Sequence, residues 1–373
     1  MYRKIIKTIV SALFVVPVLV SCKGEGRYLS IGEPCFVSGF PAEGTPKQIE
    51  GFYCDEIGLR DVMVVDTLLF VDNGSFNSTE NAWHIYSLDG KRKYGECMRV
   101  GRGPGEFSYS APYVSSCYFF HDRDSLFAYA PERYISCIYK LNVSELLENG
   151  NHVPYPAIKT DNVNSNCWAI TPCDKERMLL TQANDYYTSV RRLMYENDTV
   201  SQLAVTTEID KVSVGNEENI NLIAKAIRYN AAADKFVEAM IYLNQINIYS
   251  ADGTEGKTIC VGKELDDISR IEKIPRFSRK DTYISVSAWD EGFGAVYSGA
   301  SEIDIQKLLS DKSQIQFFDW EGNPKYLVEL PGQVSAFDID FNNNVLYVID
   351  EKEDKLMTYD ATEIIRSLRD RQH

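Results

Sequence analysis

Ile85-Tyr-Ser-Leu-Asp-Gly90 returns with a single change as Ile248-Tyr-Ser-Ala-Asp-Gly253, 163 residues further on (248 minus 85). Each is a short aliphatic and aromatic run that breaks on Asp-Gly, a hairpin signal because glycine accepts the positive φ of the turn. Looser copies are Ile138-Tyr-Lys-Leu-Asn142, Met194-Tyr-Glu-Asn-Asp198, Phe317-Phe-Asp-Trp-Glu-Gly322 and Met357-Thr-Tyr-Asp360. The landmarks are therefore Tyr86, Tyr139, Tyr195, Tyr249, Phe318 and Tyr359. Five intervals cover 273 residues (359 minus 86), a mean period of about 55.

Other strand-like runs lie between the landmarks, among them Asp61 to Asp66, Leu68 to Asp72, Leu126 to Tyr129, Arg177 to Thr181, Lys235 to Tyr242, Gly294 to Tyr297 and Val345 to Asp350. A period near 50 with four short strands per unit suits a β-propeller blade, whose small sheet buries its faces only by stacking on its neighbours. The expectation is an all-β chain, a six-bladed β-propeller preceded by a lipoprotein signal peptide, with seven blades as the alternative because residues 150 to 240 copy the repeat poorly. Cys35-Phe-Val-Ser-Gly39 precedes the first unit and is expected to supply the outer strand of the last blade, closing the ring. Helices are expected at Val143 to Leu147, Ala361 to Leu368 and Glu217 to Tyr229, with a short one around Glu302 to Leu309. Glu264 to Lys280 reads as a charged loop.

The N-terminus carries a cationic start (Arg3, Lys4, Lys7) and an apolar run from Ile9 to Val20, interrupted by Pro17 and too short for a stable bilayer span. It reads as an export signal ending at Leu19-Val20-Ser21-Cys22, which resembles the lipobox of bacterial lipoproteins. The expected organisation is a signal peptide over 1–21, a lipid-anchored tether and ring-closing strand over 22–50, and the propeller over 51–373, with Cys22 acylated. No acidic residue follows Cys22 directly, so the outer membrane is favoured. Removing residues 1–21 takes away three positive charges and moves the formal charge from -15 to -18, which disfavours nucleic acid as a partner.

The other eight cysteines form no C-x-x-C, and the four histidines make no ligand-spaced cluster with them. They read as small buried apolar residues, with Cys167 and Cys173 the first pair to test for a bridge.

Val100-Gly-Arg-Gly-Pro-Gly-Glu-Phe107 resembles the G-x-G-P-G-E-F phrase of the six-bladed, TolB-like (NHL-like) propeller lipoproteins of Bacteroidetes. Ser335 to Asp340 and Val345 to Asp350 are similar to that family's last-blade strands. The resemblance implies a propeller on the cell envelope and carries over no catalytic residue.

Gly101, Gly103 and Gly105 could suggest a phosphate loop, but Pro104 removes a donor and no Lys-Ser or Lys-Thr follows; with Glu106 and Phe107 they read as a structural turn between blades. Arg102 and Glu106 are expected to pair and tie neighbouring blades. Asp338-Ile-Asp-Phe-Asn-Asn-Asn344 alternates oxygen ligands like the start of a calcium loop but lacks its later glycine and carboxylate, so a hairpin is expected. No cofactor, catalytic set or metal site is expected.

Trp83, Trp168, Trp289 and Trp320 are candidates to line one face, and Trp289, in a polar Gly-rich stretch read as a loop, is the preferred ligand contact. The expected task is non-catalytic binding or scaffolding, for a glycan, a peptide or an envelope complex. The competing expectation is a glycan- or peptide-active hydrolase or lyase at the channel mouth.

Overall fold

The computed structural model describes residues 26–74, 80–132, 137–150, 152–159, 166–306 and 312–370. The export signal and Cys22 lie outside the described residues.

Five antiparallel sheets of four consecutive strands, two of them extended by a fifth, follow one another along the chain, and a sixth joins three consecutive strands to one from the start of the chain. Blade one is Asp61–Val65, Leu68–Asp72, Asn81–Ser87 and Lys93–Arg99. Blade two is Tyr118–Asp122, Ser125–Glu132, Cys137–Asn142 and Tyr155–Lys159, and blade three is Cys167–Pro172, Arg177–Ala183, Val190–Glu196 and Thr199–Gln202. Blade four is Lys225–Asn230, Lys235–Met240, Ile246–Ser250 and Gly256–Val261, and blade five is Lys280–Trp289, Gly292–Ser301, Lys312–Phe318 and Pro324–Pro331. Blade six has Val334–Asp340, Val345–Asp350 and Lys355–Asp360, and takes its outer strand, Gln48–Ile49, from the start of the chain. The fold is thus an all-β, six-bladed β-propeller.

All six landmark residues fall on the third strand of their blade and are buried. Their periodicity reports packing, because each sheet presents both faces to neighbours and the bulky aromatic fills the gap between them. The buried apolar residues divide into six clusters, one per gap between blades. Phe70 and Ile85 meet Leu126 and Tyr139 between blades one and two, for example, and Val62 and Leu69 meet Tyr347 and Ile349 between six and one. A cluster in that last gap means the ring is shut. Gly90, Gly253 and Gly322 close the third-strand turns at φ 71, 72 and 79°, each donating its N–H to the carbonyl three residues back.

Ring closure differs from the expectation. Cys35–Val37 adds in parallel to the outer strand of blade four, Glu43–Gly44 does the same on blade five, and only Gln48–Ile49 pairs antiparallel on blade six. The N-terminal segment therefore wraps three blades before entering blade one. A two-residue pairing rests on backbone bonds and leaves no side-chain pattern to read. Glu217 to Tyr229 is also not a helix: a 3-10 segment over Glu217–Ile223 gives way to the inner strand Lys225–Asn230. The Val143–Asn149, Thr362–Arg369 and Glu302–Gln306 helices form where expected.

Candidate functional site

The first strand of each blade lies nearest the axis. At one end of the ring the starts of these strands surround a cavity of about 650 Å³, lined by Asp61, Trp168, Lys225 and Ser335 among others. Thr181, Ile241 and Glu351, at the finish of second strands, line it too. The links from second to third strand and from one blade to the next therefore gather at this end. In blade two the place of an inner-strand start is taken by the 3-10 turn Val114–Ser116. Ser115, Thr171 and Arg228 line both this cavity and a smaller one of about 160 Å³ on its far side, so they form a neck between the two.

The carboxylates at the neck serve as cross-links. Asp61 accepts the Ser115 N–H at 2.8 Å and its hydroxyl at 2.5 Å, joining blade one to the turn that enters blade two. Asp338 accepts the Val64 N–H at 2.7 Å, the Trp289 indole N–H at 2.8 Å and the Ile339 N–H at 2.9 Å, tying blades six, one and five. Asp72 holds Arg60, whose Nε lies 2.9 Å away. Burial pushes Asp338 and Asp72 up to about 7, with the hydrogen bonds to Asp338 and the Arg60 charge beside Asp72 acting against it. Asp61 is also raised by burial, partly offset by Arg228 and Ser115. Arg228 crosses the neck to donate to the Ser115 hydroxyl and to the Ile227 carbonyl at 2.6 Å.

A second charged group sits beside the cavity, between blades three and four. Arg192, wholly buried, reaches Glu238 through Nε at 2.7 Å and Nη2 at 2.8 Å, and Asp210 through Nη1 at 2.6 Å. Tyr249 donates its hydroxyl to Glu238 at 2.7 Å, and Lys225 Nζ lies 2.9 Å from the same carboxylate. Burial opposes the charge on Glu238, but Arg192 and Lys225 outweigh it and hold the group at about 2. Burial and the Arg192 charge lower Lys225 to about 8 despite Glu238. Such a group is strongly destabilising to break and gives little net stability over an apolar filling.

Five exposed aromatic side chains stand on links that run to the cavity end, Tyr109, Tyr113, Tyr186, Tyr187 and Phe277, and Tyr113 lines the cavity itself. The four other exposed aromatics among the described residues, Tyr28, Phe36, Tyr53 and Tyr155, lie on the N-terminal segment or an outer strand, Tyr53 against the far-end turn at Gly90. A larger groove of about 1270 Å³ runs where the N-terminal segment passes blades four to six. Its polar groups are already spent, Lys325 on the Asp370 carbonyl, Arg369 on Glu291 and the Trp320 indole on the Trp289 carbonyl. The axial cavity is the better candidate.

The residues singled out from sequence separate into two groups. Gly101 to Phe107 links blades one and two: Phe107 is fully buried against Tyr139, and a Cβ on Gly101 would run into the Glu106 carboxylate. Glu106 turns back to its own loop, accepting the Gly103 N–H at 2.6 Å, and does not reach the exposed Arg102 as expected. The chain at Gly105 has φ 74° and passes close to the Pro154 carbonyl, while Pro104 is exposed. Trp289 ends the inner strand of blade five and is no loop residue; it is half-buried against Phe317, Phe337 and Phe341 and borders the smaller cavity.

Trp83 and Trp320 are buried, whereas Trp168 lines the larger cavity. Asp338 to Asn344 forms a hairpin in which Asp340 accepts from the Asn342 and Asn343 backbone, with Asn344 at φ 55°. The eight described cysteines are all unbridged, Cys167 and Cys173 included. Among the described residues no group of three or more metal-ligating side chains converges. Lys225 and Arg228 went unnoticed as site residues because Lys225-Ala-Ile-Arg228 reads as the tail of an amphipathic helix; two cations flanking a short apolar run was the available signal.

No protein-family model matches the sequence, and no curated protein does. Solved structures do match. A member of the DUF4221 family from Bacteroides vulgatus superposes with a TM-score of 0.51 over 86% of this chain and 97% of its own, at 8% identity. A calcium-binding protein, regucalcin, from Agrobacterium tumefaciens gives 0.45 over 85% and 94% at 9% identity, and a luciferin-regenerating enzyme 0.44 over 82% and 87% at 10%. At such identities the likeness is one of fold, and it is the first of the three that bears on it.

Proposed function

We propose that this chain is a non-catalytic binding or scaffold propeller, exported and held to the outer membrane by a lipid on Cys22, that engages a glycan or peptide at its cavity end. The observation that carries the reading is the set of five exposed aromatics on the cavity-end links, of which Tyr113 lines the axial cavity. Aromatic rings present flat apolar faces at low entropic cost and suit sugar rings and peptide side chains alike. The carboxylates that a hydrolase would need free are Asp61, tied to Ser115, and Glu351, exposed at the rim. A glycosidase requires two of them about 5 to 10 Å apart across the scissile bond.

Affinity purification of the tagged lipoprotein from its native envelope, followed by glycan and peptide screening, tests the binding. A ligand or stoichiometric partner lost on Tyr186→Ala with Tyr187→Ala supports it. Turnover of a glycan or peptide by the purified protein replaces it with the hydrolase or lyase reading. The anchor is tested separately: Cys22→Ser is expected to release the protein from membranes, and continued membrane association sinks that part.

A further inference from the structure

Three buried side-chain polar atoms with unspent hydrogen-bonding capacity belong to residues that line one space, the axial cavity: Arg228 Nε and Ser335 Oγ, which have no partner among the described residues, and Lys225 Nζ, which has only its ion pair with Glu238. All three belong to groups that can donate. Lys225, its side chain only 4% exposed, has three N–H bonds and a single carboxylate contact, to Glu238, so at least two donors are unspent. Arg228 spends its two terminal nitrogens on Ser115 and Ile227 and leaves Nε without an acceptor. Unpaired buried donors are costly, the more so when charged, and persist where something else satisfies them.

What the cavity lacks is an anionic acceptor for these donors. Its own carboxylates do not supply one: Asp61 is committed to Ser115, and Glu351 faces solvent at the rim. The rest of the lining mixes neutral polar groups, Ser115, Thr171, Thr181, Asn221 and Ser285 among them, with an aliphatic part to which Ile170, Ile223, Ile227, Ile241 and Ile284 contribute.

We propose that the axial cavity binds a small organic anion, its acid group held by Lys225 and Arg228 with the Ser335 hydroxyl, and its apolar body packed on the isoleucines. The inference rests on the reading of this end as a binding face and names the chemistry of the part of the ligand that enters it. Lys225 and Arg228 stand three residues apart on the inner strand of blade four, about 10 Å at their backbones at a rise of about 3.3 Å per residue, within the combined reach of two long cationic side chains closing on one acid group.

The test uses two fluorescent probes with the same rings: 8-anilinonaphthalene-1-sulfonate, which carries an acid group, and N-phenyl-1-naphthylamine, which does not. The mature protein is expected to bind one equivalent of the sulfonate saturably and at least about tenfold more tightly than the neutral probe, the worth of one charge-assisted hydrogen bond. Lys225→Met and Arg228→Met should each remove that preference and leave the neutral probe's affinity unchanged, while Lys225→Arg keeps it. Ser335→Ala, which deletes one hydroxyl, should weaken the sulfonate about fivefold and keeps the test decisive if the cation variants do not fold. Equal binding of both probes by the unaltered protein, or a sulfonate affinity insensitive to all these changes, overturns the anion site and leaves a neutral-ligand cavity. Failure of both probes to bind overturns the cavity as a binding site altogether.

Discussion

The two ends of the ring are built to different rules. At the far end the first and second strands of blades one, two and five are joined by two-residue turns, Asp66-Thr67, Arg123-Asp124 and Asp290-Glu291, those of the other three by four-residue turns, and third strands of blades one, three and four turn on Asn197-Asp198 or on the Asp-Gly phrase. At the cavity end the links 100–117, 203–224 and 262–279 are long and carry 3-10 and helical turns, and the first and last of them expose aromatic rings. Tight turns set the register of each sheet, and a one-residue slip there would put every core side chain on the wrong face. Long links have no such duty, so they are free to carry ligand-facing chemistry. On the proposed binding reading, stability and recognition fall at opposite ends, joined through the buried charges beside the cavity.

The largest blow to this division should come from Arg192→Met. It strands Glu238 and Asp210 as buried, uncompensated charges, and a loss of about 3–5 kcal/mol is expected in urea unfolding, enough to unfold many domains of this kind. An effect under 1 kcal/mol would mean the group is wetter than its geometry implies. Gly292→Ala tests the far end alone. Glycine there has φ 155° and an added Cβ would meet the Phe318 carbonyl, so about 1–3 kcal/mol should be lost with ligand binding intact.

Titration of the neck gives a gentler probe. Asp338 and Asp72 are raised to about 7 when folded, well above an unfolded carboxylate. Between that unfolded value and 7 the folded state binds more protons, so stability rises as pH falls from 8 towards 5. Glu238, held at about 2, acts in the opposite sense and takes stability away below pH 4.5. A urea midpoint higher at pH 5.5 than at pH 8, with the rise reduced in Asp338→Asn, is the expected result; a flat profile would show the neck carboxylates ionised and solvated. The smallest effect on stability should be that of Tyr186→Ala with Tyr187→Ala, within about 0.5 kcal/mol, since both rings are exposed. A large loss there would make those rings part of the core and weaken the contrast between the ends.

Much of the framework was legible along the chain because a propeller repeats its packing problem six times. Each gap between blades needs a bulky side chain from a third strand, and Tyr86, Tyr139, Tyr195, Tyr249, Phe318 and Tyr359 answer that need at a countable spacing. Asp-Gly at the far-end turns was readable for the same local reason. Trp289 misled because a Gly-rich, acidic neighbourhood also describes a tight hairpin at the end of a buried strand.

By itself, then, the sequence determined the class of fold and the turns of one end and pointed to six blades with seven left open, since these follow from local steric preference and from a burial pattern that recurs with the repeat. Tertiary structure alone decided how the ring closes, because Gln48–Ile49 joins blade six through backbone bonds that are blind to residue type. It alone also gathered Asp61, Ser115, Lys225, Arg228 and Ser335, from three blades and a link, around one cavity. Each of these residues is an ordinary strand or turn residue in its own segment, and only the closing of the ring brings them to the same axis.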